Sequence, residues 1–237
     1  MNRPKDTKVV SIIQSSYIPW KGYFEIIDQS DVFILLDDVQ FTKRDWRSRN
    51  KIPSANGGKW LTIPVQVKGK YTQQINETLI NDSRWMNSHL GQIESTYRQA
   101  PYFKQQLGFV RDLYRTAIQE SLSDINFHFL THLCAHLGID TPITWSTDYG
   151  VETEDATDRL VKLCVAENAT EYISGPAAKS YLDEKAFNAS GVSVKWFDYD
   201  GYKEYDQLYP PFNHYVAIID ILFMCGDNAI DFIRRPS

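Results

Sequence analysis

The sequence predicts an α/β fold with a Rossmann-like, mostly parallel sheet and a helical insertion in the middle of the chain. Short β-branched runs alternate with helical segments toward both ends of the chain, and the β pattern fades between residues 85 and 138. Strands that alternate with helices build βαβ units, and such units normally form parallel sheets. We therefore expect one α/β domain over residues 1–237, with residues 85–138 as a mainly helical subdomain.

The first third of the chain predicts three strands and one short helix. A β-branched run, KVVSII, predicts a buried strand that ends at a loop with proline and glycine. In chain order, the expected elements are a strand at residues 8–13, a helix at 22–30, a strand at 31–41 and a strand at 59–67.

The middle of the chain predicts helices, and the last third predicts renewed alternation. Pro101 can open the second helix of the helical subdomain, and Gly138 can close its third. Three separated cysteines, each in an apolar run, predict buried thiols. Further strands are expected at residues 142–149, 170–175 and 192–199, and further helices at residues 156–169, 176–187 and 214–226.

Composition and charge exclude several classes of protein. A hydrophobic content of 43% is enough for a sizeable core and excludes a disordered chain. The formal net charge of −5 argues against a general nucleic-acid binder, which normally presents a basic face. The apolar runs are too short for a signal peptide or a membrane span, so we expect a cytoplasmic protein.

Three polar loops follow predicted strands, at the edge where open α/β sheets bind ligands. The first, QSSYIPWKGY, brings small polar residues and backbone N–H groups to a helix start, which can hold a phosphate or a carboxylate. A proline turn with core aromatics is the alternative, because no established phosphate-loop spacing is present. The candidate binding residues of this loop are Gln14, Tyr17, Trp20, Gly22 and Tyr23.

The second loop, DDVQFTKRDWRSRNKI, has an unusual charge pattern. It places five cations within nine residues, and only Asp45 offsets them locally. Like charges repel unless a partner compensates them, so we predict a phosphate-binding loop rather than a solvated charged loop. The candidate binding residues of this loop are Asp37, Gln40, Lys43, Arg44, Arg47, Arg49 and Asn50.

Three residues are candidates for catalysis. Asp38 ends a strand, where a carboxylate can accept a proton or hold Mg²⁺, and we expect the acids and cations of the second loop to face one cleft. His89 can transfer a proton near neutral pH, although a lone histidine is more often structural. In the third loop, SGPAAKSY, Gly175 can admit a ligand and Lys179 can bind its phosphate, while a plain strand-to-helix turn is equally compatible.

Three further histidines, His128, His132 and His136, recur every four residues along one helix face. Histidines four residues apart can share a metal ion. This stretch lacks the glutamate of the HExxH motif, however, and helix side chains eight residues apart rarely converge on one ion. We predict no metal site there.

Several of these motifs together resemble the WbqC-like protein family. The chain departs from the family's usual first motif at Ile13, Ser15 and Ser16, where histidine, proline and asparagine are common. The likeness spans nearly the whole chain and is carried by IIQSSYIPWKGYFEII, SDVFILLDDVQFTKRDWRSRNKI, WLTIPV, the spacing from Trp85 and His89 to YRQAPYF, DATDRLVKLCVAENATEYISGPAAKSYLD and IIDILFMCG.

The resemblance implies a function in the biosynthesis of surface polysaccharides such as O-antigen. It suggests a transferase or ligase that modifies a nucleotide-linked amino sugar, with glycyl or acyl attachment through an amide. A looser likeness to nucleotidylyltransferases adds ATP-dependent amide formation by analogy. The expected partner is a phosphorylated small molecule and not a nucleic acid, and the sequence identifies no cofactor.

Two rival functions belong to other classes. The first is a non-catalytic binding or scaffold protein of a polysaccharide assembly complex, which would bind a partner enzyme and show no turnover alone. The second is RNA binding through the second loop, with Trp46 stacking on a base. The acidic net charge disfavours RNA binding.

Overall fold

The structure, a computed structural model, describes residues 6–235 of the chain. Within these residues, no helix has the length and apolar character needed to cross a membrane. The strands are β1 (Val9–Ile13), β2 (Val32–Leu35), β3 (Arg49–Ile52), β4 (Lys59–Thr62), β5 (Ile143–Trp145), β6 (Glu171–Ser174) and β7 (Ser193–Trp196). The helices are α1 (Lys21–Gln29), α2 (Trp85–Tyr97), α3 (Phe103–Arg115), α4 (Leu122–Leu137), α5 (Ala156–Ala166), α6 (Glu184–Ala189), α7 (Ile219–Cys225) and α8 (Ile230–Ile233).

Five strands form an all-parallel sheet in the order β5-β2-β1-β6-β7. The chain builds outward from β1 to β2 and β5, and then returns to the other side of β1 for β6 and β7. This is the strand order of a doubly wound fold, so the predicted Rossmann-like α/β fold is confirmed. Because the order reverses between β1 and β6, a crevice opens at the carboxyl ends of these two strands.

Alternate side chains of the central strands enter two hydrophobic clusters, one on each face of the sheet. Val9 and Phe33 pack with α1 and with the helices of residues 85–137. Val10 and Ile34 pack with α5 and α6. Since both faces are covered, these strands are apolar on both sides except at Ser11, which explains their nearly continuous apolar runs. All three cysteines are buried, as the sequence predicts.

The middle of the chain contains the predicted helices α2, α3 and α4. Gly138 ends α4 in the left-handed conformation, with φ 70°, and its N–H donates to the carbonyl of Ala135. Pro101 precedes α3 instead of opening it, because the helix begins at Phe103.

The strand predicted at residues 59–67 differs from the structure in length and in partner. It ends at Thr62, and it pairs antiparallel with β3 in a separate two-stranded sheet. β3 itself lies inside the basic second loop. Its outward-facing residues, Arg49 and Lys51, are cations, so the sequence does not show the apolar alternation that predicts a strand.

The last two predicted helices begin later than the sequence indicates. A 3₁₀ turn precedes α6, which begins at Glu184 because the side chain of Asp183 caps its first turn. Helix α7 begins at Ile219 because the two preceding backbone N–H groups donate to the carbonyls of Lys51 and Pro19. These tertiary hydrogen bonds replace the first helical turn.

A buried chain of hydrogen bonds connects the first loop to the helices and to the β3–β4 hairpin. The ring Nε2 of His89 lies 3.1 Å from the carbonyl of Thr62, which can only accept, so Nε2 donates. Nδ1 of His89 therefore accepts from the hydroxyl of Tyr17 at 2.9 Å, and Tyr17 accepts from Tyr114 at 2.5 Å. Burial of this neutral ring lowers the pKa of His89 to about 4.

Gly226→Ala is expected to destabilise the fold more than Gly138→Ala. Both glycines have positive φ, 57° and 70°, so either alanine introduces backbone strain. Only at Gly226 would the new Cβ meet another group, the ring of Tyr102 at 2.4 Å. We expect urea unfolding to show a loss of about 1 kcal/mol for Gly138→Ala and about 3 kcal/mol for Gly226→Ala. Equal losses would contradict the steric contribution of the Tyr102 ring.

The contribution of His89 to the free energy of unfolding is expected to decrease as the pH falls from 6.5 to 4. In this range unfolded chains bind a proton at His89, whereas the folded protein, with the lowered pKa of about 4, does not. A difference of this size corresponds to about 3 kcal/mol of stability, present at neutral pH and lost on acidification. Urea unfolding at a series of pH values between 4 and 7 measures it.

His89→Gln separates this contribution from those of the other histidines. The variant should be less stable at pH 7 and should show a shallower pH dependence than the unmodified protein. Asn87→Ala, at an exposed and non-titrating position of the helix that contains His89, is the matched control and should leave the slope unchanged. Identical slopes for His89→Gln and the unmodified protein would overturn the assignment of the proton to His89.

Candidate functional site

A cavity of about 410 Å³ lies at the carboxyl ends of β1 and β6, where the strand order reverses. This is the place where doubly wound sheets bind ligands. A second cavity of equal volume, between residues 79–86 and 117–120, contains none of the predicted site residues. The first cavity, which we name the switch-point cavity, is lined by Ile13, Ser16, Pro19, Trp20, Tyr23, Trp46, Arg47, Asn50, Ala177, Tyr199 and Tyr215.

Aromatic rings form much of the wall of the switch-point cavity. The ring centroid of Trp20 lies 5.0 Å from that of Tyr199 and 5.1 Å from that of Tyr215. Gly22 makes room for this arrangement, since a Cβ at this position would lie 2.4 Å from the Trp20 ring. Apolar walls with a few polar groups are typical of small-molecule sites, and flat aromatic faces suit flat ligand faces.

Arg47 contributes the positive charge of the cavity. Its Nη1 donates to Oε1 of Gln14 at 2.6 Å, and its Nε is buried without a hydrogen-bond partner. Within residues 6–235, no carboxylate forms an ion pair with Arg47. The described ion pairs are Lys8–Glu167, Arg84–Asp82, Arg111–Glu94, Arg115–Asp112, Arg159–Asp38, Lys162–Asp158, Lys195–Glu171, Arg234–Asp28 and Arg235–Glu25. A half-buried guanidinium with a nitrogen that lacks a hydrogen-bond partner can bind an anionic ligand.

The neighbours of Arg47 are fixed by hydrogen bonds to the backbone. Asn50 donates to the carbonyls of Tyr17 and Ile18, at 3.2 and 2.8 Å, which holds the first loop against β3. Tyr23 donates to the carbonyl of Gln14 at 2.9 Å. Burial raises the pKa of the Tyr23 hydroxyl, so it is a neutral group at this wall. The polar atoms of the cavity are therefore held in place before any ligand binds.

The two acids of the second loop do not line the switch-point cavity. Asp37 is buried and accepts hydrogen bonds from the N–H of Ser15 at 2.7 Å and from the hydroxyl of Ser123 at 2.5 Å. Burial raises the pKa of Asp37, against the effect of these hydrogen bonds. Asp38 accepts from Ser146 at 2.6 Å and pairs with Arg159.

Both acids line a separate crevice of about 260 Å³ beyond β2 and β5. The expectation that the acids and cations share one cleft is therefore wrong, because Arg47 points into one cavity while Asp37 and Asp38 are bonded beside another. The reason is that Asp37 is buried in the protein interior, where its carboxylate accepts from the backbone N–H of Ser15 and so fixes the first loop.

The other predicted residues of the second loop lie outside the cavity. The amide of Gln40 donates to the carbonyl of Tyr71 at 2.9 Å, and Lys43 lies 5.7 Å from the ring centroid of Tyr71. Arg44 is exposed, in a turn with φ 60°. Arg49, on β3, lies over the ring of Trp60 on the outer face of the β3–β4 hairpin. Among the predicted cations of the second loop, Arg47 lines the cavity, whereas Lys43, Arg44 and Arg49 do not.

The third loop contributes backbone but not its lysine. Ala177 lines the cavity, and a Cβ on Gly175 would lie 3.3 Å from the hydroxyl of Tyr199, so this turn approaches the wall closely. Lys179 is exposed, and its Nζ lies 5.5 Å from the ring centroid of Trp196. It does not line the cavity.

The structure thus brings together four of the predicted binding residues in the cavity lining, namely Trp20, Tyr23, Arg47 and Asn50, with Gln14 bonded to Arg47. Tyr17 lies in the core, bonded to His89. None of the predicted catalytic residues (Asp38, His89 and Lys179) lines the cavity, and their catalytic roles stay predictions.

Sequence reasoning missed two tyrosines of the wall. Tyr199 ends the stretch predicted as the last strand, so the rule that ligands bind at carboxyl ends could have found it. Tyr215 lies in a segment, residues 197–218, that has no helix or strand, and no signal in the sequence links it to Trp20.

The three regularly spaced histidines of α4 bond to protein groups. His128 lies 3.0 Å from the carbonyl of Leu113, and His132 lies 2.7 Å from the carbonyl of His128. His136 lies 2.6 Å from the amide oxygen of Gln106. Over residues 6–235, no group of three or more histidine, cysteine or acidic side chains is arranged to hold a metal ion.

Comparison with known proteins gives the same family as the motifs. The chain is similar to uncharacterized protein Rv1507c of Mycobacterium tuberculosis: the two are 44% identical over 227 residues, which cover 96% of this chain and 98% of the relative. No solved structure matches the chain significantly. The sequence profile of the WbqC-like protein family matches residues 14–232. The chain belongs to the WbqC-like protein family.

Proposed function

We propose that the protein is a transferase or ligase of surface-polysaccharide biosynthesis that modifies a nucleotide-linked amino sugar through formation of an amide with a glycyl or acyl group. The observation that carries this proposal is the guanidinium of Arg47, buried at Nε without a partner, in an aromatic-walled cavity at the switch point of a Rossmann-like sheet. Family membership supplies the polysaccharide context.

The shape and polarity of the cavity support a ligand with both a ring and a phosphate. Its volume of about 410 Å³ is that of a small-molecule site. The faces of Trp20 and Tyr199 suit the apolar face of a sugar ring, while Ser16 brings a hydroxyl group to the same wall. A hydrophobic cofactor would leave the charge of Arg47 unpaired, which costs free energy.

Arg47 is placed to bind the phosphate of the substrate. A guanidinium donates two parallel hydrogen bonds to a phosphate, and Gln14 engages one of its nitrogens and so orients the group. In amide formation, the sugar amine attacks the carbonyl carbon of an acyl phosphate that ATP has activated, the C–N bond forms, the C–O bond to the leaving phosphate breaks, and the amine proton passes to solvent. A cation at this position would stabilise the charge of the leaving group.

Arg47→Ala is expected to weaken binding of nucleotide sugars about 100-fold, because a charge-assisted hydrogen-bonding pair contributes about 1.5–3 kcal/mol. Isothermal titration calorimetry against a panel of nucleotide-linked amino sugars measures the effect. Arg47→Lys retains the charge without the fork and should be intermediate. Arg115→Ala, at an exposed position of α3, is the control and should bind like the unmodified protein. Equal affinities of Arg47→Ala and the unmodified protein for every sugar that binds would refute the role of Arg47.

One observation favours the alternative of a non-catalytic binding or scaffold protein. The predicted catalytic residues Asp38, His89 and Lys179 lie outside the cavity lining, and the neutral ring of His89 has both nitrogens engaged. A binding protein needs the cavity and Arg47 but no base.

Turnover by the purified protein separates the two functions. The protein is incubated with nucleotide-linked amino sugars, ATP and glycine or an acyl donor, and mass spectrometry detects amide products. Transferase or ligase activity predicts a product with the mass of the acylated sugar, lost in Arg47→Ala. Sugar binding without any product, together with stable copurification of another enzyme from cells, would establish the scaffold function instead.

A further inference from the structure

The outer face of the β3–β4 hairpin is a second surface with unusual chemistry. In its antiparallel register, Arg49 stands opposite Thr62, and Lys51 stands opposite Trp60. Residues opposite each other point to the same side of a hairpin, so these four side chains share one face. The other face, with Asn50 and other buried residues, packs on the protein.

Two cations of this face lie over a single indole ring. Cζ of Arg49 is 4.0 Å from the ring centroid of Trp60, and Nζ of Lys51 is 4.6 Å from the same centroid. Cation–π contact orients both groups but does not remove the repulsion between them. Among the described residues, neither cation is in an ion pair, and Nε of Arg49 is buried without a hydrogen-bond partner.

The hairpin face is continuous with the switch-point cavity. The ring centroids of Trp60 and Trp46 are 5.7 Å apart, and Trp46 lines the cavity. Both indoles are strongly exposed for their type, at 38% and 44%. Exposed aromatic rings beside unpaired cations form the combination that binds a base together with its phosphates.

We propose that Trp46, Arg49, Lys51 and Trp60, which we name the hairpin subsite, bind the nucleoside diphosphate part of the substrate while the sugar occupies the switch-point cavity. Arg49 and Lys51 contact the phosphate nearer the nucleoside, Arg47 contacts the phosphate nearer the sugar, and the exposed indoles of Trp46 and Trp60 stack on the base. This proposal rests on the proposed function for the identity of the sugar, whereas binding of a nucleoside diphosphate alone depends only on the subsite.

Charge favours a single nucleotide over a nucleic acid at this subsite. The protein has a formal net charge of −5, and the cations of the second loop are a local exception to it. A long polyanion would meet the acidic remainder of the surface, whereas a nucleoside diphosphate meets only the local cations. The subsite also presents two neighbouring indoles, enough for one base.

The test measures affinities for uridine, guanosine and thymidine diphosphates, for their sugar conjugates, and for a single-stranded RNA oligomer, by calorimetry. Arg49→Gln and Trp60→Ala are expected to weaken the binding of the preferred nucleoside diphosphate and of its sugar conjugate at least tenfold. Lys59→Ala is the matched control. Lys59 is an exposed cation on the same strand as Trp60 and is absent from the cation–π contacts of Trp60, so this variant should bind the nucleotides with unchanged affinity. Trp60→Phe, which keeps an aromatic ring, should fall between Trp60→Ala and the unmodified protein if the ring stacks.

The outcomes separate this inference from the proposed function. Weaker binding of the nucleoside diphosphate in Arg49→Gln and Trp60→Phe, with circular dichroism unchanged, supports the subsite even if no amide product is ever detected. Sugar conjugates whose affinity depends on Arg47 but not on Arg49 or Trp60 would overturn the subsite and leave the proposed function standing. Tighter binding of the RNA oligomer than of any nucleoside diphosphate, or no binding of any nucleotide, would also overturn it.

Discussion

The buried carboxylate of Asp37 joins three segments of the chain, the first loop, the second loop and α4, of which the first two line the switch-point cavity. It follows β2, bonds to the backbone of Ser15 after β1, and bonds to Ser123 at the start of α4. Removing a carboxylate from water costs free energy unless donors replace the water, and both oxygens here have a donor. One helical turn further along α4, Asn126 donates to Ser15 and to the carbonyl of Arg47. The backbone around Arg47 is therefore held in place by Asp37 and Asn126, two side chains that do not line the cavity.

The sequence predicts the parts of the molecule that depend on local pattern. β1 and β2 are recognisable because both faces are covered, and α4 because its periodicity and its terminal Gly138 agree. The sequence can predict the cavity residues Trp20, Tyr23, Arg47 and Asn50, because they follow strands whose carboxyl ends meet at one edge of the sheet.

The features that the sequence does not predict depend on contacts between distant residues. β3 is a strand because β4 pairs with it, although its outward side chains are cations. Asp37 is an interior group because Ser15 and Ser123 offer donors from other segments. No local pattern distinguishes such an acid from one that faces a ligand. The order of charges along the second loop therefore does not show that its acids and its cations lie beside different cavities.

The wall of the cavity is built from two kinds of segment, one held by hydrogen bonds to regular elements and one without regular secondary structure. Arg47 is bonded to Gln14, which follows β1, and to Asn126 of α4, whereas Tyr199 and Tyr215 belong to residues 197–218, which contain no helix or strand. Loops of this kind accept substitutions and changes of length that strands do not. Relatives can therefore change the wall that contains Tyr199 and Tyr215 while the wall that contains Arg47 stays the same. The shape of the cavity can thus diverge within such a fold faster than its charge.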